Sequence, residues 1–153
     1  MRAIQVESFG GPEVLVPTEV DPPVPGPDEW LVRVHGAGLN YADTHHAENS
    51  YLSPQTLPFI PGMEIVGEVV NGDQAGTRVC GFVARGGGYA EYCAAPAVQC
   101  LPVPARLSLE EAASLPETFS TSAGSYITRS PPSCIVIRSE EHTSELQSHS
   151  FIS

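Results

Sequence analysis

Met63-Glu64-Ile65-Val66-Gly67-Glu68-Val69-Val70 is followed directly by Asn71-Gly72-Asp73 in the middle of the chain. The first run is short and apolar, which predicts a strand. Asn-Gly-Asp between apolar segments is typical of a turn, and Arg78 to Ala84 predicts the next strand. This part of the sequence therefore indicates a fold rich in β-structure.

Further short strands are expected on both sides of this pair, separated by turns that contain glycine and proline. The additional predicted strands are Ala3 to Val6, Val14 to Val16, Trp30 to His35, Tyr89 to Ala94 and Val98 to Val103. The proline-rich connector 21–27 cannot join a sheet ladder, because proline has no backbone N–H to donate.

Two short helices complete the prediction. One covers Asn40 to His46, and the other runs from about Leu109 to Leu115, because Ser108 and Glu111 match a capping box at its start. Many short strands with few helices predict a β-rich α+β fold class, organised as a partial β-barrel.

Composition and charge exclude several classes of protein. The 153 residues suffice for one domain, or one domain with an appendage, and 41% hydrophobic with 16% charged residues excludes a disordered acidic chain. A net charge of −11, with arginine as the only basic residue type besides histidine, removes the electrostatic basis for nucleic-acid binding. No apolar run approaches ~18 residues and the amino terminus opens on a strand pattern, so we expect no membrane span, no signal peptide and a cytoplasmic location.

Cysteine and histidine spacing gives little support for a metal site. The four cysteines form no Cys-x-x-Cys pair, so we expect them to be reduced and structural: Cys80, Cys93, Cys100 and Cys134. His45 and His46 are adjacent, and adjacent helical residues point about 100° apart, so they do not easily share one ion. We therefore expect no bound metal, and an imidazole that faces solvent or lines a pocket.

Two other features leave a choice of roles. Glu64 stands just before Ile65-Val66, where a carboxylate is costly to bury unless it is paired. An ion pair or hydrogen bonds to backbone N–H groups are favoured, and a catalytic role remains the alternative. The run 85–88, Arg-Gly-Gly-Gly, lacks dinucleotide-binding spacing and does not open a helix, so a turn between strands is favoured over a phosphate cradle.

The character of the sequence changes after about Thr121. Residues 122–137 show no consistent period, and from Arg138 to His149 the chain reads Arg-Ser-Glu-Glu-His-Thr-Ser-Glu-Leu-Gln-Ser-His. That string resembles the in-frame translation of a common sequencing-library adapter; a genuine polar tail is the alternative. We therefore expect a folded domain over residues 1–121 and a non-homologous, artefactual, disordered tail over residues 122–153.

Residues 1 to about 121 together resemble zeta-crystallin-type quinone oxidoreductases, a zinc-free branch of the medium-chain dehydrogenase/reductase superfamily. The resemblance rests on motifs that occur in the family's order: Phe9-Gly10-Gly11-Pro12-Glu13-Val14-Leu15, Gly38-Leu39-Asn40-Tyr41-Ala42-Asp43-Thr44, Pro61-Gly62-Met63-Glu64-Ile65-Val66-Gly67, Gly86-Gly87-Gly88-Tyr89-Ala90-Glu91-Tyr92 and Leu115-Pro116-Glu117-Thr118-Phe119. It implies an incomplete GroES-like catalytic domain, which in the family precedes a Rossmann domain that is absent here.

The resemblance also implies a reaction and a site. Family members transfer hydride from NADPH to a quinone or another conjugated carbonyl acceptor. By position, Asn40 corresponds to the asparagine that orients the nicotinamide or the acceptor, so it is expected as a catalytic and cofactor-binding residue. His45 takes the place of a frequent tyrosine as a second catalytic residue, and Thr121 is expected near the cofactor. Gly62-Met63-Glu64 replaces the Gly-His-Glu of zinc-dependent relatives, which implies no zinc.

Several hypotheses about the function of the chain as a whole remain open. The first is a catalytic-domain fragment that is inactive alone, whose parent enzyme is a homodimer acting on a small-molecule quinone while the fragment itself does not dimerise. The alternatives are a stand-alone GroES-like binding or interaction module without catalysis, and an enoyl or alkenal reductase of the same superfamily.

Overall fold

A computed structural model describes residues 1–51, 54–113 and 115–118 of the chain. The strands of these residues are β1 (Arg2–Gln5), β2 (Val16–Glu19), β3 (Glu29–Ala37), β4 (Glu64–Val69), β5 (Arg78–Phe82), β6 (Tyr92–Pro96) and β7 (Cys100–Pro102). The α-helices are α1 (Tyr41–Glu48) and α2 (Leu109–Ala112). Thr121, Cys134 and the predicted tail 122–153 lie outside the described residues.

Five strands form one curled antiparallel sheet in the order β6-β3-β4-β5-β7, and β1 pairs with β2 in a separate ribbon. Isolated bridges from Ala3 to Ala90 and from Val6 to Phe59 connect the ribbon to the rest of the domain. All strand pairs within the described ranges are antiparallel. The β-rich fold class predicted from the sequence, a partial barrel with few short helices, is confirmed.

Strand β4 lies at the centre of the sheet and is covered on both faces. Ile65 and Val69 point into the larger apolar cluster, together with Val32 and Val79. Val66 points the opposite way, into a second cluster beneath α2. Because successive strand residues alternate between faces, a strand buried on both sides needs an almost continuous apolar run. This explains why the sequence alone predicts a strand at residues 63–70.

The predicted strand Val14 to Val16 is wrong in its placement. Pro12–Val14 forms a single 3-10 turn, and the strand β2 begins only at Val16. Pro17 lies within β2 opposite Ile4, in a ribbon where β2 has one strand partner. An edge strand tolerates proline because one side of its backbone makes no ladder bonds.

Most other element boundaries differ from the predictions by one or more residues, and three of these differences have a clear cause. Strand β6 starts at Tyr92 instead of Tyr89, because the Tyr89 N–H donates to the Pro61 carbonyl. Ala97–Gln99 forms a 3-10 turn, so β7 is shorter than the predicted strand Val98 to Val103. Helix α2 ends at Ala112, where the Ala113 N–H bonds to the Glu110 carbonyl three residues back and tightens the last turn.

The described cysteines, Cys80, Cys93 and Cys100, are all free and buried, which confirms the prediction of reduced structural thiols for these three. Burial raises the pKa of the Cys93 thiol to about 12 and that of Cys100 to about 11. Within the described ranges, none of the helices has the length and apolar character needed to cross a membrane.

Candidate functional site

An open cavity of about 380 Å³ lies beside the start of α1. Its lining is mostly apolar and consists of Leu15, Leu39, Asn40, Tyr41, Asp43, Thr44, Pro61 and Tyr89. Leu39 and Tyr41 are 87% and 71% exposed, which is high for large apolar side chains. A concave apolar surface with a few polar groups is the usual form of a small-molecule site.

Asn40 is the N-cap residue of α1 and lines this cavity. Its side-chain Nδ2 donates to Glu64 Oε1 at 2.9 Å, across 24 positions of sequence. A primary amide carries two N–H donors and one carbonyl acceptor, so this bond occupies only one of the two donors. Asn40 is thus a polar group in a mostly apolar cavity wall, and a hydrogen bond to the Glu64 carboxylate holds its amide.

Glu64 is the first residue of β4 and only 1% exposed. Besides the Asn40 amide, it accepts the backbone N–H of Glu117 on Oε2 at 2.9 Å. Burial raises the pKa of the Glu64 carboxyl, while the bonds from Glu117 and Asn40 act in the opposite direction. Of the two roles that the sequence left open for Glu64, the structure shows the one with hydrogen bonds to backbone N–H groups.

Glycine at position 38 makes room for this carboxylate. A Cβ built on Gly38 would overlap the Glu64 side chain, with its Cδ only 2.6 Å away. Any other residue at this position would therefore force either the Glu64 carboxylate or the segment around Gly38 to shift.

Asp43 also lines the cavity and is 6% exposed. Its Oδ2 accepts the backbone N–H of Asn40 at 3.0 Å and the hydroxyl of Tyr89 at 2.6 Å. Its Oδ1 accepts the N–H of Gly62 at 3.1 Å. Burial, and then the bond to Asp43, raise the pKa of the Tyr89 phenol well above its ordinary value, so it remains a donor. Three donors on one carboxylate fix the backbone from which Asn40 projects.

Of the other predicted site residues, the structure describes His45 but not Thr121. His45 lies on α1 with Nδ1 2.7 Å from the Ser50 hydroxyl, and its ring packs edge-on against Tyr41 at 4.5 Å between centroids. His45 therefore contacts Tyr41, which lines the cavity, but is not itself one of the lining residues. Thr121, the predicted cofactor contact, lies outside the described residues.

His46 is buried against Tyr51, with ring centroids 4.6 Å apart, and burial lowers the pKa of its imidazole. The described part of the chain brings together no group of three His, Cys, Asp or Glu side chains suited to a metal ion.

The glycine run 86–88 is a turn between β5 and β6, as predicted. Its three N–H groups donate to the carbonyls of Val83, Ile60 and Gly62. With these donors occupied, the run does not form a phosphate cradle. A second cavity of about 350 Å³ adjoins this turn and is lined by Phe59, Arg85 and Tyr92 among others, and it contains none of the predicted site residues.

Sequence reasoning missed Asp43, Tyr89 and Gly62 as parts of the site. Asp43 carried a local signal, because an acidic residue three positions after an asparagine N-cap follows the capping-box pattern. Tyr89 carried none, since it meets Asp43 across 46 positions of sequence.

Comparison with known proteins defines the class to which this fold and site belong. The model of the alcohol dehydrogenase GroES-like domain family matches residues 26–105, and the chain belongs to this family.

Within that class, the similar proteins include quinone oxidoreductases. The chain is 36% identical over 122 residues to the quinone oxidoreductase of Mus musculus, which covers 75% of this chain and 37% of the mouse protein. The solved quinone oxidoreductase of Thermus thermophilus, also determined in complex with NADPH, is 39% identical with a TM-score of 0.71, over 80% of this chain and 39% of that one.

A human synaptic vesicle membrane protein VAT-1 homolog-like protein is 30% identical with a TM-score of 0.78, over 84% of this chain and 43% of that chain. The chain therefore spans less than half the length of each of these relatives. The resemblance to the medium-chain dehydrogenase/reductase superfamily and its quinone oxidoreductases, read from the motifs of the sequence, is confirmed.

Proposed function

We propose that this chain is the acceptor-binding part of an NADPH-dependent quinone oxidoreductase of the cytoplasm. The observation that carries this proposal is the Asn40 amide, which stands in the wall of an apolar cavity with one N–H bound to Glu64 and a second N–H left for a ligand. The relatives named quinone oxidoreductase support the reaction class.

The apolar lining suits the ring of a quinone, and the Asn40 amide suits its carbonyl. Leu39 and Tyr41 offer exposed apolar surface, whose burial by a ring is favourable by roughly 25 cal/mol per Å². A hydrogen bond from Asn40 to the carbonyl oxygen would strengthen as negative charge develops there during reduction. Asn40 is therefore proposed as the residue that orients and polarises the acceptor, or orients the nicotinamide.

His45 is proposed as a second residue of this site that acts at its edge. Its ring packs edge-on against Tyr41, so the imidazole lies one ring away from a ligand that contacts Tyr41. Its Nδ1 is engaged with Ser50, which leaves Nε2 as the atom for a ligand hydrogen bond. Thr121 is proposed as a cofactor contact on the resemblance alone.

The described residues fit only one end of NADPH. The Asn40 amide matches the carboxamide of a nicotinamide, but the glycine run has no free N–H for the phosphates. When NADPH is bound, it supplies the hydride. We assign the binding of NADPH to a dinucleotide-binding domain. No zinc is assigned to the site. We accordingly propose that the 153-residue chain alone is monomeric and catalytically inactive. We also propose that the parent enzyme dimerises through its dinucleotide-binding domain.

Binding of 1,2-naphthoquinone to the 153-residue chain, followed by 15N–1H NMR, tests the acceptor site. We expect chemical-shift changes concentrated at Leu39, Asn40 and Tyr41. Asn40→Ala should bind the quinone up to about tenfold more weakly, because one hydrogen bond is lost. The matched control is Asn49→Gly, an exposed asparagine at the left-handed end of α1 that glycine replaces without strain. Shifts elsewhere, or equal affinity in Asn40→Ala, would refute the acceptor site.

Two further measurements separate the remaining possibilities. A conjugated enone titrated against the same chain tests the alkenal-reductase alternative, which predicts that the enone displaces the quinone. NADPH oxidation with quinone is expected to be absent for the chain alone, and turnover would overturn the proposed need for a second domain.

A further inference from the structure

The buried side chain of Glu64 connects three separate parts of the domain. It begins β4, its Oε1 accepts from the Asn40 amide at the start of α1, and its Oε2 accepts the N–H of Glu117 in the segment 115–118. Resting on the proposed function, we propose that Glu64 is the positioning residue of the acceptor site, whose carboxylate fixes which end of the Asn40 amide faces the ligand.

The donors and acceptors around Glu64 determine the orientation of the Asn40 amide. An ionised carboxylate only accepts hydrogen bonds, so Asn40 must turn Nδ2 and not its carbonyl toward Glu64. The second oxygen is already taken by the Glu117 N–H, which is a backbone donor and cannot turn away. As long as Glu64 is charged, the amide of Asn40 has one orientation.

Loss of the charge reverses this orientation. In Glu64→Gln the side chain keeps its size but has one acceptor oxygen and one NH2 group. The oxygen stays with the fixed N–H of Glu117, so the NH2 group faces Asn40. The Asn40 amide can offer its carbonyl to this group only by rotating about 180°, which gives up the capping contact of its side chain with the Asp43 N–H. Protonation of Glu64 on Oε1 has the same consequence, because this oxygen then donates toward Asn40 while Oε2 still accepts from Glu117.

The surroundings of Glu64 favour such a change. The titratable groups that face it are Asp43 on α1, Glu117 in the segment 115–118, Cys80 on β5 and Tyr89 before β6. Among the described residues, no arginine or histidine forms an ion pair with Glu64. Burial, and then the negative charges of Glu117 and Asp43, raise the pKa of Glu64, against the two hydrogen bonds it receives.

The orientation of Asn40 is measured directly by the 15N–1H signals of its side-chain NH2 group, assigned by their disappearance in Asn40→Ala. In the wild-type chain we expect one of the two protons to lie downfield because it donates to a carboxylate. We expect this displacement to decrease as the pH is lowered through the titration of Glu64, and to be absent at every pH in Glu64→Gln.

The matched control is Glu68→Gln, on the same strand, where the carboxylate pairs with Arg33 at the surface. It should leave the Asn40 signals and their pH dependence unchanged. A folded Glu64→Gln chain whose Asn40 signals titrate like those of the wild type would overturn the inference. If that variant does not fold, the wild-type titration decides alone: Asn40 signals that do not move with pH overturn it.

A second readout connects the orientation to the ligand. Binding of 1,2-naphthoquinone should weaken by up to about tenfold in Glu64→Gln and remain within about twofold in Glu68→Gln, since one hydrogen bond to the carbonyl changes. Equal affinity in Glu64→Gln and the wild type contradicts a positioning role. If no quinone binds to any variant, the proposed function fails, while the NMR titration still tests whether Glu64 orients Asn40.

Discussion

The hydroxyl of Tyr89 donates to Asp43 Oδ2 at 2.6 Å, and this bond ties the loop before β6 to the first turn of α1. The same carboxylate holds the backbone N–H groups of Asn40 and Gly62. The geometry of the cavity wall therefore depends on a buried carboxylate that is satisfied by hydrogen bonds from three segments. Such a network stabilises one arrangement, because each unpaired member would be costly in a buried position.

Tyr89→Phe removes the shortest of the three bonds to Asp43. We expect a loss of about 1–3 kcal/mol in the free energy of unfolding, because a bond to a charged, buried acceptor is lost while the ring is retained. Urea denaturation of both chains measures the difference. Tyr92→Phe is the control, since the structure gives its hydroxyl no hydrogen bond within the described residues, and it should change stability by less than about 0.5 kcal/mol. Equal effects of the two substitutions would contradict the assigned role of Tyr89.

Gly38→Ala tests the close approach of the backbone to Glu64. The added Cβ would overlap the buried carboxylate, so either Glu64 or the segment around Gly38 must shift. We expect destabilisation by about 1–3 kcal/mol, typical of overpacking, and altered Asn40 side-chain NMR signals. Gly26→Ala is the control, because its Cβ meets only the end of the Glu29 side chain at 3.5 Å. A Gly38→Ala chain with wild-type stability would show that the carboxylate moves freely.

The sequence predicted the parts of this domain that depend on local pattern. Strand β4 was found nearly to its boundaries because both faces are apolar, and α1 was found where Asn40 caps it. The sequence placed strand β2 wrongly. Its proline is acceptable because β2 lies at an edge, and a short stretch of sequence does not show which strands lie at an edge.

The site was predictable only in part. Asn40 entered through the resemblance to a family, and its cavity position agrees with that expectation. The partners that hold it, Glu64 and Tyr89, come from distant segments, so their contacts depend on tertiary structure. A buried carboxylate was recognisable as needing a partner, but which partner it finds is decided by the fold.

Glu64 also predicts how stability depends on pH. Because its pKa is raised in the folded chain, the folded state holds the proton more tightly than the unfolded state does. Its contribution to stability is therefore full below the ordinary glutamate pKa and is lost as pH rises through the raised value. The stability of the wild type relative to Glu64→Gln should accordingly fall as the pH rises above the ordinary glutamate pKa, measured in a series of urea denaturations.

Glu91 provides a control of opposite sign. Hydrogen bonds from Arg2 lower the pKa of this exposed carboxylate, so its contribution is present above the ordinary glutamate pKa and lost as pH falls through the lowered value. The stability of the wild type relative to Glu91→Gln should therefore rise with pH, by a small amount that added salt reduces. The same sign of slope for both variants would contradict the assignment for Glu64.

The described cysteines should be unreactive until the chain unfolds. In a Cys134→Ser background, the remaining thiols are Cys80, Cys93 and Cys100, which are buried and have raised pKa values, so the reactive thiolate is scarce and inaccessible. We expect alkylation at pH 8 to be slower than in the urea-unfolded chain by roughly 100-fold or more. Mass spectrometry of the labelled chain counts the modified thiols. Rapid labelling of any of the three in the folded chain would show that its strand opens readily, because strands β5, β6 and β7 each carry one of them.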